Sequence, residues 1–191
     1  AYTYDAVGRL TERSDATGTT TMSYTARGEL ERLDDPLTAT SITYSYDNAG
    51  QLTTKQFGPQ GATESFEYDG IGQLIADRMT AGGETTTSTS FAYDANGNMV
   101  EQNVFAPGNP ASGVHRYGYD AADRLVSWTN ESGVTTSYGW DDAGNRTSVN
   151  DQTYTFDQRN RLVGGPTSTY RWTTRGTLSG ATVDGITSSY R

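Results

Sequence analysis

The 191-residue sequence predicts an all-β protein, an antiparallel meander of hairpins with about two strands per repeat. One observation is a seven-residue motif that returns nine times along the chain. A second is a pair of aromatic residues spaced two apart at the start of each motif, which is strand spacing and places both rings on one face. A third is the Asp-x-x-Gly that follows, the composition of a tight turn.

The motif runs YDAVGRL at 4–10, YTARGEL at 24–30, YDNAGQL at 46–52, YDGIGQL at 68–74 and YDANGNM at 93–99. It continues as YDAADRL at 119–125, WDDAGNR at 140–146, FDQRNRL at 156–162 and WTTRGTL at 172–178. Spacings of 20, 22, 22, 25, 26, 21, 16 and 16 residues separate the motif aromatics, so repetition is the first property of this chain. The predicted structural positions are Tyr4, Asp5, Gly8, Leu10, Tyr46, Asp47, Gly50, Leu52, Tyr68, Asp69, Gly72 and Leu74. To these are added Tyr93, Asp94, Gly97, Tyr119, Asp120, Leu125, Trp140, Asp141, Gly144, Phe156, Asp157, Leu162, Trp172, Gly176 and Leu178.

Each aromatic closes an incoming strand. Two residues earlier stands Tyr2, Tyr44, Phe66, Phe91, Tyr117, Tyr138, Tyr154 or Tyr170, with Met22 in the remaining copy, while Thr3, Thr25, Ser45, Glu67 and Ala92 alternate onto the other face. The Asp side chain is expected to accept a backbone N–H and the Gly to adopt positive φ. Where Gly is missing, Asp123 and Asn160 take its place, and both residue types tolerate the left-handed region. Leu or Met two residues after the Gly opens the return strand on the aromatic face; Arg146 breaks that pattern. At the opposite ends of the hairpins the turn material varies, as at 15–18, 34–36, 59–61, 81–83, 106–110, 132–133 and 164–166. One edge therefore carries uniform corners and the other carries loops of differing length. Eighteen to twenty strands at about 4.8 Å each would make a sheet about 90 to 95 Å wide, which strand twist is expected to curl into a spiral or barrel-like segment with the aromatics inward.

Composition excludes several functions. The chain has no Cys, a single His, one Lys and a formal charge of -9. Disulfides, thiolate metal sites and cysteine nucleophiles are thereby absent, and little remains for a Ser-His-Asp triad. Nucleic acid is not expected as a partner, since phosphate affinity rests mostly on Lys and Arg. No apolar run approaches the roughly 20 residues a membrane helix needs, and no signal peptide is visible. No cofactor is implied. The repeated Asp could form a calcium ladder, but turn capping accounts for one Asp per corner without metal. His115, near Asp120 and Asp123, is read as an ordinary surface or strand residue, and the pairs Asp34-Asp35 and Asp141-Asp142 are not assigned catalysis, because adjacent strand residues face opposite ways and adjacent turn aspartates are common. Asn130-Glu131-Ser132 and Asn145-Arg146-Thr147 match the glycosylation triplet, a frequent coincidence in a Ser- and Thr-rich chain.

Nine phased copies of YDxxGxL resemble the YD-repeat family, also called Rhs repeats, found in bacterial polymorphic toxins, Tc toxin shell subunits and teneurins. The resemblance covers essentially the whole chain. It implies a β-sheet spiralling into a hollow shell that, in bacterial members, encloses a C-terminal toxin. Such shells commonly end in a DPxGL-type segment associated with self-cleavage; Asp35-Pro36-Leu37 lies early and lacks the Gly, so that role is not transferred. The expectation is a single array of nine repeats over 1–191, an interior piece of a longer chain, non-enzymatic, secreted or at the cell surface, and bacterial. Its expected partners are further YD repeats of the parent chain and a toxin cargo. A binding module is the competing reading, in which aromatic and Thr-rich surfaces, Trp128 and Tyr138 among them, recognise carbohydrate or a partner protein. Exposed edge strands also make a homo-oligomer a candidate.

Overall fold

The computed structural model describes residues 1–190. Arg191, which with Tyr190 echoes Tyr170-Arg171, lies outside the described residues. Twenty strands account for the regular structure, and no helix forms among the described residues, so none is long and apolar enough to cross a membrane. The chain divides into two compact units, residues 1–93 with 101–114 and residues 94–100 with 115–191.

The first unit is built on β1 (Tyr2–Tyr4), β2 (Leu10–Asp15), β3 (Gly18–Tyr24), β4 (Leu30–Asp35), β5 (Thr40–Tyr46), β6 (Leu52–Phe57), β7 (Thr63–Tyr68), β8 (Leu74–Ala81) and β9 (Glu84–Tyr93). β10 (Met99–Phe105) and β11 (Gly113–Tyr119) follow, and the second unit continues with β12 (Leu125–Thr129), β13 (Thr135–Trp140), β14 (Arg146–Val149) and β15 (Gln152–Thr153). β16 (Thr155–Phe156), β17 (Leu162–Gly165), β18 (Ser168–Trp172), β19 (Leu178–Val183) and β20 (Ile186–Ser189) complete it. Strand order equals chain order throughout, β1 to β15 in one hydrogen-bonded sheet and β16 to β20 in another. The predicted antiparallel meander is thus present, but it is not closed: neither strand order returns to its first member.

A break between Thr153 and Thr155 separates the two sheets, where the sequence spacing drops to 16 residues. Shorter repeats leave shorter strands: β14 has four residues, and β15 and β16 have two each. Such short ladders have too few cross-strand pairs to carry the sheet past Tyr154.

Period two sorts the side chains. In the first unit one face carries the row Met22, Leu33, Ile42 and Phe57 across β3 to β6, and the other carries Thr3, Glu12, Thr21, Asp34 and Ser41 across β1 to β5. Ser45, Thr54, Ser65, Arg78 and Ser88 continue the polar face. The expected aromatic core is corrected in one respect. No hydrophobic side chain among the described residues is fully buried, and all eight motif aromatics after Tyr4 are half-buried. A single layer has nothing packed over its apolar face, so each ring is covered only by its neighbours on the same face. Tyr4, on the outermost strand, is 58% exposed.

The corners share one geometry. In the first, Gly8 N–H donates to Asp5 C=O at 3.1 Å, Asp5 N–H donates to Arg9 C=O at 2.9 Å, and φ at Gly8 is +86°. The same pair of backbone bonds recurs at all nine corners. Register slips by one residue beside Tyr4, Tyr24, Tyr46, Tyr68, Tyr119, Trp140, Phe156 and Trp172, as between Thr3 and Tyr4, which is the signature of a hairpin turn ending in a glycine bulge. That slip sets Tyr4 opposite Leu10, Tyr24 opposite Leu30, Tyr46 opposite Leu52, Tyr68 opposite Leu74 and Trp172 opposite Leu178. Asp123 and Asn160 occupy the Gly position with φ of 57° and 59°. Asn130 and Gly133 build the same turn on the opposite edge, at the expected turn 132–133.

At Gly144 a methyl group would meet no atom within 4 Å, so backbone conformation alone sets the cost of replacing it. Gly144→Ala is expected to lower unfolding free energy by about 1 kcal/mol or somewhat more, and Gly144→Asn by less. Equal losses in urea titrations of the two variants would refute the assigned role of positive φ.

Candidate functional site

The corner edge is where the sequence motif concentrates its chemistry. Asp5 Oδ1 accepts the N–H of Val7 at 3.0 Å and of Arg9 at 2.8 Å, and Asp47, Asp69, Asp94, Asp120 and Asp157 each cap two N–H groups in the same way. Asp141 Oδ1 takes the N–H of Asn145 at 2.8 Å. In the Asp-less corners Thr25 and Thr173 use their hydroxyls instead. The carboxylates are therefore occupied by the turn, and among the described residues no three His, Cys, Asp or Glu side chains gather as a metal-holding group.

The second oxygen of the Asp meets the variable residue before the motif Leu. Arg9 pairs with Asp5 at 2.6 Å, Arg124 with Asp120 at 2.7 Å and Arg161 with Asp157 at 2.6 Å; Asn98 and Asn145 bond Asp94 and Asp141. These same side chains reach the next corner. Arg124 donates to Asp141 C=O at 2.7 Å, Asn145 to Asn160 Oδ1 at 3.0 Å, Arg161 to Thr173 C=O at 3.2 Å, and Gln51 to Gly72 C=O at 3.4 Å. Arg27 reaches both Asp47 and Asn48 carbonyls. Backbone N–H bonds from Arg9 hold the Asp5 carboxyl below its ordinary range, and those from Asn98 do so at Asp94. Side-chain bonds from Arg124, Asn145 and Arg161 lead at Asp120, Asp141 and Asp157, the last reaching about 2.

A second ladder ties six of the motif aromatics to the hairpin before them. Tyr24 Oη donates to Leu10 C=O at 2.7 Å, Tyr46 to Leu30 at 2.8 Å, Tyr93 to Leu74 at 2.8 Å and Tyr119 to Met99 at 3.0 Å. Trp140 and Trp172 make the same bond through Nε1, to Leu125 and Leu162, both at 2.8 Å. Each acceptor is the motif Leu or Met of the preceding repeat. Guanidinium groups lie against several rings: Arg9 over Tyr24, Arg124 over Trp140 and Arg161 over Trp172. Burial pushes the Tyr46 and Tyr119 phenols up. Sequence reasoning missed this latch, although Tyr exchanging with Trp, the two aromatics with a polar donor, was its visible signal.

Other candidates resolve separately. His115 is a buried residue of strand β11; it stacks on Trp128 at 6.2 Å and lies 3.9 Å from Glu131. Trp128 and Tyr138 are half-buried, the latter under the Arg146 guanidinium at 5.8 Å. Asp34 pairs with Arg32 while Asp35 caps the turn at Leu37, so the two carboxylates serve different partners. Asn130 Oδ1 caps the turn at Ser132 and Val134. Lys55 lies on the aromatic face, 2.8 Å from Glu64 and 4.8 Å above the Phe66 ring; Asp77, opposite Phe66, is pushed up first by burial and then by the Glu64 charge.

Phased corners, one aromatic face and side-chain ladders between successive hairpins define a repeat-built β-sheet protein of the shell class. The chain belongs to the YD-shell family: the Teneurin YD-shell matches residues 52–185, well over half the chain, and the RHS Repeat matches residues 4–40. Over 160 residues, 78% of this chain, it is 26% identical to the double-stranded DNA deaminase toxin A of Burkholderia cenocepacia (strain H111). The solved complex TcdB2-TccC3-Cdc42 superposes with a TM-score of 0.70 at 19% identity over 95% of this chain. The Photorhabdus luminescens Tc holotoxin pore does so with a TM-score of 0.68, also at 19% identity and over 95% of this chain. The chain spans 11% of the deaminase toxin's length and 12% of each of those structures.

Tyr46→Phe removes one latch hydroxyl and keeps the ring. It is expected to cost about 1 kcal/mol in chemical denaturation, whereas Tyr68→Phe, where no such bond is made, should cost clearly less. Equal effects would remove the latch from the account. Asp5, Asp94, Asp120, Asp141 and Asp157, with folded pKa values depressed below the ordinary 3.8, contribute stability that is fully present above that value and is lost as pH falls through the folded values, about 2 at Asp157. Unfolding followed from pH 5 to pH 2 should show that decline, and Asp157→Asn should make it shallower; an unchanged slope in the variant would contradict it.

Proposed function

We propose that this chain is a non-enzymatic wall segment of a secreted, bacterial YD-repeat toxin, forming part of a β-shell that encloses or carries a toxin cargo. The observation that carries the reading is the aromatic latch: Tyr24, Tyr46, Tyr93, Tyr119, Trp140 and Trp172 each bond their repeat to the backbone of the repeat before it, so stability accrues by adding neighbours, as a long wall requires. The motif Tyr or Trp, Asp, Gly and Leu positions act as structural parts of that wall. Engagement of the corner carboxylates in turns and cross-corner bonds supports a structural role over a catalytic one. The toxin identity of the deaminase relative and the Tc toxin fold support a parent of the same kind.

Its partners in this reading are further repeats of the parent chain, in phase with these nine, and the enclosed cargo. The outer edges of β1 and β20 offer unpaired backbone groups to such neighbours or to a second copy.

The test uses the complete parent protein. Limited proteolysis is expected to spare the cargo, and in-phase deletion of residues 46–67 is expected to leave β-rich circular dichroism intact while making the cargo digestible. A parent whose cargo is fully digested without any deletion would overturn the enclosing role.

A further inference from the structure

Charge changes along the corner edge. Each of the first seven corners is neutral or negative, counting the side chains from the motif aromatic to the motif Leu, Met or Arg. The last two reverse this: 156–162 holds Asp157 with Arg159 and Arg161, and 172–178 holds Arg175 with no acidic residue. In a chain of formal charge -9, three arginines against one aspartate at two adjacent corners form a local exception.

Between these corners lies an open groove of about 400 Å³ lined by Asp157, Arg159, Arg161, Trp172, Thr173 and Thr174, together with Gln158. Asp157 is consumed there. Its Oδ1 caps two N–H groups and its Oδ2 takes Arg161, whose remaining amine bonds Thr173 C=O. Arg159 is exposed and spends one amine on Thr174 C=O at 2.7 Å, which fixes its guanidinium across the groove while leaving further N–H donors outward. Arg175 is exposed on the neighbouring tip. Trp172 is held by its Nε1 bond to Leu162 C=O and carries the Arg161 guanidinium 5.6 Å from its ring centroid, so the indole surface left open to the groove is a pre-set wall rather than a mobile side chain.

Fixed guanidiniums recognise oxyanions, an indole face recognises the C–H face of a sugar ring, and Gln and Thr groups serve sugar hydroxyls. We propose that the groove between residues 157–161 and 172–175 is a binding site for an anionic saccharide, its carboxylate or sulfate at Arg159 and Arg175 and its ring against Trp172. The site is independent of cargo enclosure, since it lies on the corner edge of the last two repeats.

A heparin hexasaccharide is the first probe, added to the chain while the Trp172 indole N–H is followed by NMR, with neutral dextran, inorganic sulfate and a single-stranded oligonucleotide in parallel. The expected result is saturable binding of the hexasaccharide that shifts the Trp172 signal, binds tighter than the other three, and weakens at least about tenfold in Arg159→Gln/Arg175→Gln. Both replaced residues are exposed, so an unchanged circular dichroism spectrum shows that the variant is folded. Equal affinity in wild type and variant, binding without movement of the Trp172 signal, or binding of the oligonucleotide or of sulfate at least as tight as that of the hexasaccharide would overturn the proposal.

Discussion

The five-residue corner turn governs the rest of this structure. A Gly N–H bonded to the Asp carbonyl, an Asp carboxylate receiving N–H groups, and positive φ at the fourth residue turn the chain within a fixed length and insert a one-residue bulge. Because side chains alternate with period two, that slip decides which residues share a face. It places Tyr4, Tyr24, Tyr46, Tyr68, Tyr119, Phe156 and Trp172 opposite the motif Leu, and so puts both on the apolar side, while Trp140 faces Arg146. Without the bulge the return strand would present its polar residues there.

Two ladders depend on that register. On the apolar face the Tyr and Trp tips reach the carbonyl of the motif Leu one repeat back, a reach possible only when successive hairpins repeat the same offset. Along the corner edge Arg, Asn and Gln bridge one Asp-bearing turn to the next. Together they substitute for the second layer that most sheets rest upon. A half-buried aromatic stabilises less than a core one, but its polar tip adds a directed bond that fixes the ring. Cations over the rings, and the Lys55, Glu64 and Asp77 group on the same face, show that this side of the sheet is partly wet rather than a dry interior.

Local chemistry made much of this legible beforehand. The nine corners, their Asp caps and the Asp123 and Asn160 replacements follow from residue types that few other turns would select. Strand polarity follows from Tyr2 with Tyr4 and from each later pair. The turn at 130–134 was legible only as loop material at 132–133, not as a corner, because it lacks the preceding aromatic pair, although its Asn-x-x-Gly is the same chemistry. The cross-corner role of Arg27 or Gln51 was illegible for a different reason: one repeat shows only a variable position, and its function exists only when a second corner stands beside it.

By itself, then, the sequence determined the fold class, the position of every corner and the division of residues between two faces, because turns and strand alternation are settled by residues within a few positions of one another. Tertiary structure alone decided how deeply the aromatics are covered, that the sheet breaks beside Tyr154, and that His115 is buried against Trp128 with Glu131 3.9 Å away. These depend on strands brought together from distant parts of the chain, and on how many layers pack, which no local pattern encodes.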